Sequence, residues 1–367
     1  MATMMANVVD DGHTMQCMEV WGGNRAIDAG VRMSGLDAWV YSRPFAGGAS
    51  SVDAGNAAGE SGGGDIHYLS SCMTGRISRM LVADVSGHGS AVDSTAVALR
   101  DLMRRYVNYL DQAKMVEGLN IEFGTLAKMG LFATAVVATY WAPSSYLVAT
   151  NAGHPRPLIY RAKSRAWSFL ESERRGASER SGGGGGGGGA GKIETRLAES
   201  DEPSNLPLGI LEPTKYDQIG TRLEMGDMVL IYTDSLVESR GRDGTLLGDC
   251  GLLEVIRKVD AGGGGDVGGR AAGELDPKEL IPKLVEALRA RQGSESFSDD
   301  LTCLLLRRNE VESKVSLYDV AAGTMQVLRQ GLARLTGKKG PAGWPEFRME
   351  TIGGAFIERL SRRWKGG

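Results

Sequence analysis

"LVADVSGHGSA" (81–91) places Asp84, Ser86 and His88 within five positions, where an apolar run gives way to glycine. The segment leading into it, "RISRMLVADV" (76–85), is nearly continuous in apolar residues and suits a buried strand. The segment leaving it, "SAVDSTAVALRDLMRRYVNYL" (90–110), is helical in pattern. Val92, Ala96, Leu99, Met103, Tyr106, Val107 and Leu110 recur at that spacing, and Ser90 with Asp93 makes an N-terminal cap. The stretch is thus a turn between a strand and a helix. Its chemistry is open at this point: a serine beside a histidine suggests a nucleophile and base, and an aspartate at a strand end suggests a metal ligand.

Working outward, "LFATAVVATYW" (131–141) and "SYLVATNAG" (145–153) are rich in strand formers and separated by "APS", which predicts a hairpin. "RPLIYR" (156–161), "DMVLIYTD" (227–234) and "DDLTCLLLRR" (299–308) read as further strands. "DPKELIPKLVEALRARQ" (276–292) reads as a helix with Asp276 as cap and Pro277 in its first turn, although Pro282 is awkward there and is a candidate for the true start. Hairpin spacing in the middle of the chain predicts antiparallel pairing and an α+β layered domain. "LYDVAAGTMQVLRQGLARLTG" (317–337) predicts an amphipathic helix in the tail, followed by basic residues around Trp344 and Trp364. That tail reads as a packing or solvated element rather than a nucleic-acid site.

The composition bounds the function. With 367 residues, 42% of them hydrophobic and 24% charged, the chain can build a full globular core. A net charge of −3 gives no basic excess for nucleic acid or an anionic membrane. No apolar run of about 18 residues is present, so no membrane span is expected. The start, "MATMMANVVDDGHTMQCMEV", lacks the basic and apolar regions of a secretory signal, so a cytoplasmic location is expected. Cys17, Cys72, Cys250 and Cys303 lie far apart, which excludes a thiolate zinc pattern and suits reduced thiols. Many of the 53 glycines fall in stretches at about 49–61, 176–191 and 261–273, which read as flexible loop insertions. The run of eight consecutive glycines would lose too much entropy on ordering to cradle a phosphate.

Aspartates recur at the strand ends. Asp65 precedes "IHYLSS", Asp84 closes "RMLVAD", Asp234 closes "DMVLIYT", and Asp299 and Asp300 open "LTCLLL". Each alone is best read as a turn or cap residue. Gathered at one sheet edge they would repel one another unless a cation neutralised them. Oxygen-only ligands suit Mg²⁺ or Mn²⁺, and two such ions could activate a water for attack on phosphorus.

In this order "GGD" (63–65), "ADVSGHG" (83–89), "FATAVVA" (132–138), "NAGHPRPLIYR" (151–161), "LPLGI" (206–210), "GDMVLIYTDSLVES" (226–239) and "SDDLT" (298–302) resemble the metal-dependent serine/threonine protein phosphatases of the PPM family, in their bacterial SpoIIE-like branch. The resemblance covers roughly residues 35 to 308. It implies an αββα sandwich of two antiparallel sheets flanked by helices, with a dinuclear Mn²⁺ or Mg²⁺ centre. Residue by residue, it implies that Asp84 bridges both ions and that the Val85 carbonyl and Asp65 serve one of them. Asp234 and Asp299 would hold the other, with Asp300 as second choice. The implied reaction is hydrolysis of phosphoserine or phosphothreonine by an activated water, without a phosphoenzyme. The branch's usual substrates are phosphorylated anti-sigma-factor antagonists. Residues 1–34 then form an N-terminal extension without assigned role, and residues 309–367 form the helical and basic tail.

The chain departs from the family pattern at Ser235, where glycine is usual, and at Ile66, His67 and Tyr68. The insertion at 49–61 runs close to Asp65. No expected carboxylate is missing, so an active enzyme is expected. Ser86 and Gly87 are read as shaping the turn, since a serine hydrolase would need an acid partner that cannot be placed. His88 and His154 are read as structural, with Asn151 and Gly153 fixing the second turn. Arg43 is a candidate phosphate contact. Two alternatives remain: a phosphatase-like module that binds a phosphoprotein without turnover, and a serine hydrolase built on Ser86.

Overall fold

The computed structural model describes residues 17–45, 62–72, 75–87, 90–109, 111–126, 130–170, 205–262, 276–294, 297 and 299–311. The predicted tail helix, His88 and most of the glycine-rich insertions lie outside the described residues. Two six-stranded sheets, antiparallel in every strand pair, form the centre of the molecule. The first contains, in spatial order, β1 (Cys17–Gly23), β4 (Asp65–Cys72), β5 (Ile77–Val85), β6 (Ala133–Trp141), β7 (Tyr146–Ala152) and β10 (Gln218–Arg222). The second contains β2 (Ile27–Arg32), β3 (Leu36–Arg43), β12 (Leu301–Arg308), β11 (Met228–Tyr232), β8 (Leu158–Arg161) and β9 (Ala166–Phe169).

Three apolar layers explain why the central strands read as continuous hydrophobic runs. Leu36, Val40, Leu69, Met80, Val82, Val136, Ile231 and Leu304 fill the space between the sheets. On the outer face of the first sheet, Ile66, Leu81, Ala83 and Val137 pack under α1 (Ser90–Tyr106) and α2 (Gln112–Leu126). On the outer face of the second, Leu230, Cys303 and Leu305 pack under α3 (Gly248–Gly262) and α4 (Pro277–Gln292). Buried on both faces, β5 and β11 have no reason to alternate apolar with polar residues, whereas the edge strand β2 alternates between half-buried and exposed positions. This is the αββα sandwich.

As expected for 81–91, β5 ends at Val85, the chain bends at Ser86 and Gly87, and α1 begins at Ser90. In α1, Val92, Ala96, Leu99 and Met103 form the buried stripe, and the helix ends at Tyr106, one turn short of the predicted Leu110. The predicted hairpin is β6–β7, joined by a short 3₁₀ turn at Ala142–Ser144 whose following residue, Ser145, takes a left-handed φ of 51°.

In α4, Asp276 caps the first turn by accepting from the Lys278 N–H at 3.1 Å, and Pro277 stands at its start. Pro282 does not mark the start; it lies within the helix. Its ring is on the exposed face, where the loss of one backbone hydrogen bond is best tolerated.

Residues 17–34, set apart in the sequence, supply β1 and β2, the edge strands on one side of each sheet. None of the described helices is long and apolar enough to cross a membrane.

Candidate metal centre

Four strand ends meet at one edge of the sandwich. In the first sheet Asp65 opens β4 and Asp84 lies one residue from the end of β5, and antiparallel pairing sets them directly opposite each other. Such cross-strand partners are close enough for like charges to repel. In the second sheet Asp234 lies in the 3₁₀ turn that follows β11, and Asp299 stands two residues before β12. Because β11 and β12 pair antiparallel, with Tyr232 opposite Cys303, these two aspartates fall at the same edge.

Thr233 joins the two halves. Its hydroxyl donates to Asp65 Oδ2 at 2.8 Å and accepts the Thr302 N–H at 2.9 Å. Its own backbone N–H donates to the Thr302 carbonyl at 3.0 Å. The Thr302 hydroxyl meets that of Ser42 at 2.9 Å, which brings β3 into the same network. Thr233 and Thr302 are fully buried, and neither was singled out in the sequence. Their positions beside Asp234 and Asp299 were visible there, but their common partner was not.

Asp299 and Asp300 do different work. The Asp300 carboxylate accepts backbone N–H groups from Phe45 at 2.6 Å, Gly64 at 2.5 Å and Asp65 at 3.3 Å. It clamps the ends of β3 and β4. Asp299 is exposed, and its carboxylate accepts only the Asp300 N–H, at 2.8 Å, among the hydrogen bonds of the described residues.

The glycines before Asp65 are explained by the same packing. A Cβ at Gly63 would fall 2.1 Å from Asp300 Oδ2. At Gly64 it would fall 2.9 Å from the Val85 carbonyl oxygen and 3.3 Å from Asp84 Oδ1. A side chain at Gly64 would therefore crowd both oxygens.

The electrostatics follow from this crowding. Burial, then Asp84 and Asp300, holds the Asp65 carboxyl well above the usual range, opposed by hydrogen bonds from Thr233 and Thr302. Burial pushes Asp84 up to about 7, reinforced by Asp234, Asp299, Asp300 and Glu238. Burial pushes Asp234 up to about 6, reinforced by Glu238 and Asp299. The carboxyls are thus near enough to oppose one another's ionisation. Oxygen donors with excess negative charge fit a hard divalent cation. Among the described residues no three His, Cys, Asp or Glu side chains are gathered closely enough to hold an ion, so the set is more open than a closed coordination shell.

The remaining candidates have structural partners. The Ser86 hydroxyl accepts the Phe132 N–H at 3.0 Å, and the Ser86 N–H donates to the Phe132 carbonyl at 2.9 Å. Gly87 follows with φ +109°, so both residues shape the turn. Asn151 brackets the 151–154 turn, accepting the His154 N–H at 2.7 Å and donating to its carbonyl at 2.8 Å. Gly153 takes φ +66° with Pro207 packed against it. The His154 Nδ1 lies 2.8 Å from the Thr134 hydroxyl, and burial lowers the ring to about 3, so the imidazole stays neutral. Ser235 is not among the residues with positive φ, so the glycine usual at this position is not required by the backbone. Arg43 is exposed at the end of β3, opposite Leu301, over the Tyr41 ring.

A family model described as stage II sporulation protein E (SpoIIE) matches residues 75–175 and 193–309. Among solved structures, the RsbU and RsbW domains of Rv1364c from Mycobacterium tuberculosis share 19% identity, over 85% of this chain and 73% of that one, with a TM-score of 0.53. The PP2C phosphatase domain and regulatory-domain fragment of SpoIIE from Bacillus subtilis share 14%, over 75% and 63%, with a TM-score of 0.50. RsbX, crystallised with magnesium, shares 17%, over 77% and 100%, with a TM-score of 0.46. No curated protein matches by sequence. At these identities the first two likenesses speak for the fold: two antiparallel sheets flanked by helices.

Proposed function

Because the chain belongs to the SpoIIE family of PP2C-type phosphatases, we propose that it hydrolyses phosphoserine or phosphothreonine on a signalling phosphoprotein, using two Mn²⁺ or Mg²⁺ ions. The observation that carries this reading is the convergence of Asp65, Asp84 and Asp234 with Asp299 from four strand ends, each of the first three hindered from ionising by burial and by its neighbours. Carboxyls arranged in this way destabilise the empty fold and stabilise a bound cation.

In this reading Asp84 would serve both ions. Asp65 and the Val85 carbonyl, which a side chain at Gly64 would crowd, would hold one. Asp234 and Asp299 would hold the other. Asp299 is preferred to Asp300 because the Asp300 oxygens are already engaged by backbone N–H groups. When bound, the ions would supply Lewis-acid activation of a water and of the phosphoryl group. The chain's own part is to fix its oxygen donors on rigid strand ends, and Ser86 shapes the adjoining turn through its bonds to Phe132. Arg43, exposed at the same edge, is a candidate to bind the incoming phosphate. An anti-sigma-factor antagonist is the substrate class we favour, in a cytoplasmic setting.

A second reading is a phosphatase-like module that binds a phosphoprotein without turnover; the open spacing of the carboxylates favours it. One assay separates these readings from a serine hydrolase. Hydrolysis of p-nitrophenyl phosphate and of phosphopeptides is followed with Mn²⁺, with EDTA, and in Asp84→Asn and Ser86→Ala. The phosphatase reading expects metal-dependent turnover that falls at least about 100-fold in Asp84→Asn and stays within about threefold of wild type in Ser86→Ala. Phosphopeptide binding without hydrolysis by the manganese-loaded protein would favour the module. Activity in EDTA that Ser86→Ala abolishes would favour the hydrolase.

A further inference from the structure

Thr233 supplies no ligand to either proposed ion, yet its side chain bonds one half of the site to the other. It directly precedes Asp234, and its hydroxyl reaches across to Asp65 in the opposite sheet. We propose that Thr233 is a positioning residue that fixes the orientation of the Asp65 carboxylate, and so sets the affinity of the site for its divalent cations; this rests on the metal-dependent reading above.

The direction of the hydrogen bonds supports this. A hydroxyl has one proton to donate. The Thr302 N–H already points at the Thr233 oxygen from 2.9 Å, so that bond uses an acceptor lone pair. The proton is left for Asp65 Oδ2 at 2.8 Å or for the Thr302 carbonyl at 3.4 Å, and the shorter, charge-assisted bond is the stronger. Holding Oδ2, together with the Thr302 side chain, restrains the orientation of the carboxyl group. Thr233 is fully buried, so solvent does not reach the hydroxyl to replace this bond. Thr302 is locked in turn by Ser42 and by its backbone exchange with Thr233, so the donor is held on both sides. Such partners of a ligand side chain commonly change metal affinity about 10- to 100-fold when removed.

The experiment titrates Mn²⁺ calorimetrically into the metal-stripped full chain as wild type, Thr233→Val and Thr233→Ser. Phosphopeptide kinetics at saturating Mn²⁺ and thermal melts accompany it. Valine keeps the branched shape and removes the hydroxyl; serine keeps the hydroxyl and removes a methyl. The expected result is Mn²⁺ binding weakened about 10-fold or more in Thr233→Val and by less than about threefold in Thr233→Ser. Most of the kcat should return in the valine variant once Mn²⁺ is saturating. Thr233→Ala replaces Thr233→Val in the comparison if melts show the valine variant unfolded. Wild-type affinity in the hydroxyl-free variant overturns the positioning role while leaving the metal reading intact. Equal weakening in the serine variant also overturns it, since bulk rather than the hydroxyl would then matter. A wild-type chain that binds no Mn²⁺ fails the metal reading itself, and the positioning role falls with it.

Discussion

At the scale of single residues, Asp84 combines burial with the repulsion of other carboxyls. Its ordinary value is 3.8 and its value in the fold is about 7, so the folded protein holds the proton more tightly than the unfolded chain does. The linkage sign follows: this stabilising contribution is complete below about pH 3.8 and is lost as pH rises through about 7. With partial solvent access the contribution is on the order of 2 kcal/mol. In metal-free protein, Asp84→Asn is therefore expected to melt higher relative to wild type at pH 7.5 than at pH 4.5. Adding Mn²⁺ at pH 7.5 should raise the wild-type melting temperature and leave that of Asp84→Asn nearly unchanged. Parallel melting curves for the two proteins across this range, with and without Mn²⁺, would contradict the account.

At the scale of elements, the Gly63–Gly64–Asp65 approach to β4 is shaped by what presses against it. Asp300 occupies the space beside Gly63, and the Val85 carbonyl occupies the space beside Gly64. Gly64→Ala is expected to push β4 away from β5 at the Asp65–Asp84 pair. We expect a loss of about 1–3 kcal/mol in chemical denaturation, together with weaker Mn²⁺ binding. Wild-type values for both would show that the approach is looser than the packing implies. The "GGD" motif was legible in the sequence, but its cause was not, because Asp300 is 235 residues from Asp65. The same separation separated what could be read from what could not in other elements. β5, β6, β7, β11 and β12 are buried on both faces and announce themselves as apolar runs. The α2 helix did not, although Met115, Leu119 and Phe123 recur at helical spacing. Gln112 and Asn120 also face inward, where Gln112 donates to the Val137 carbonyl and Asn120 to that of Leu211. Polar residues buried through distant partners erase a pattern that a single-chain reading depends on. Thr233 escaped notice for the same reason, its partner Asp65 being 168 residues away.

At the scale of the whole molecule, neither strand order nor the meeting of four strand ends follows from periodicity alone; the ordered motifs implied the two-sheet sandwich and the grouping of the aspartates by resemblance, but not the strand order. What the motifs did not reach is the part played by residues 17–34. β1 closes one edge of the first sheet against β4, and Glu19 on β1 pairs with Arg104 on α1. The connection to β2 carries Asn24, which is buried and touches two parts of the fold, the approach to β4 and the first turn of α1. Its carbonyl accepts the Gly63 N–H at 3.0 Å, and its side chain donates to the Gly63 carbonyl at 2.8 Å and to Asp93 at 2.6 Å. The chain that precedes the motifs therefore holds the approach to Asp65 against the first turn of α1. Deletion of residues 1–26 is expected to expose the hydrogen-bonding edge of β4, lower the melting temperature and favour association of the protein. Asn24→Ala, which leaves β1 in place, tests the link to the site separately. It should destabilise the fold by about 1–3 kcal/mol, the usual result of leaving buried groups unpaired, and weaken Mn²⁺ binding measured by calorimetry. A truncated chain that melts and binds Mn²⁺ as the full chain does would show that β1 and the turn carrying Asn24 are dispensable to both the sandwich and the site.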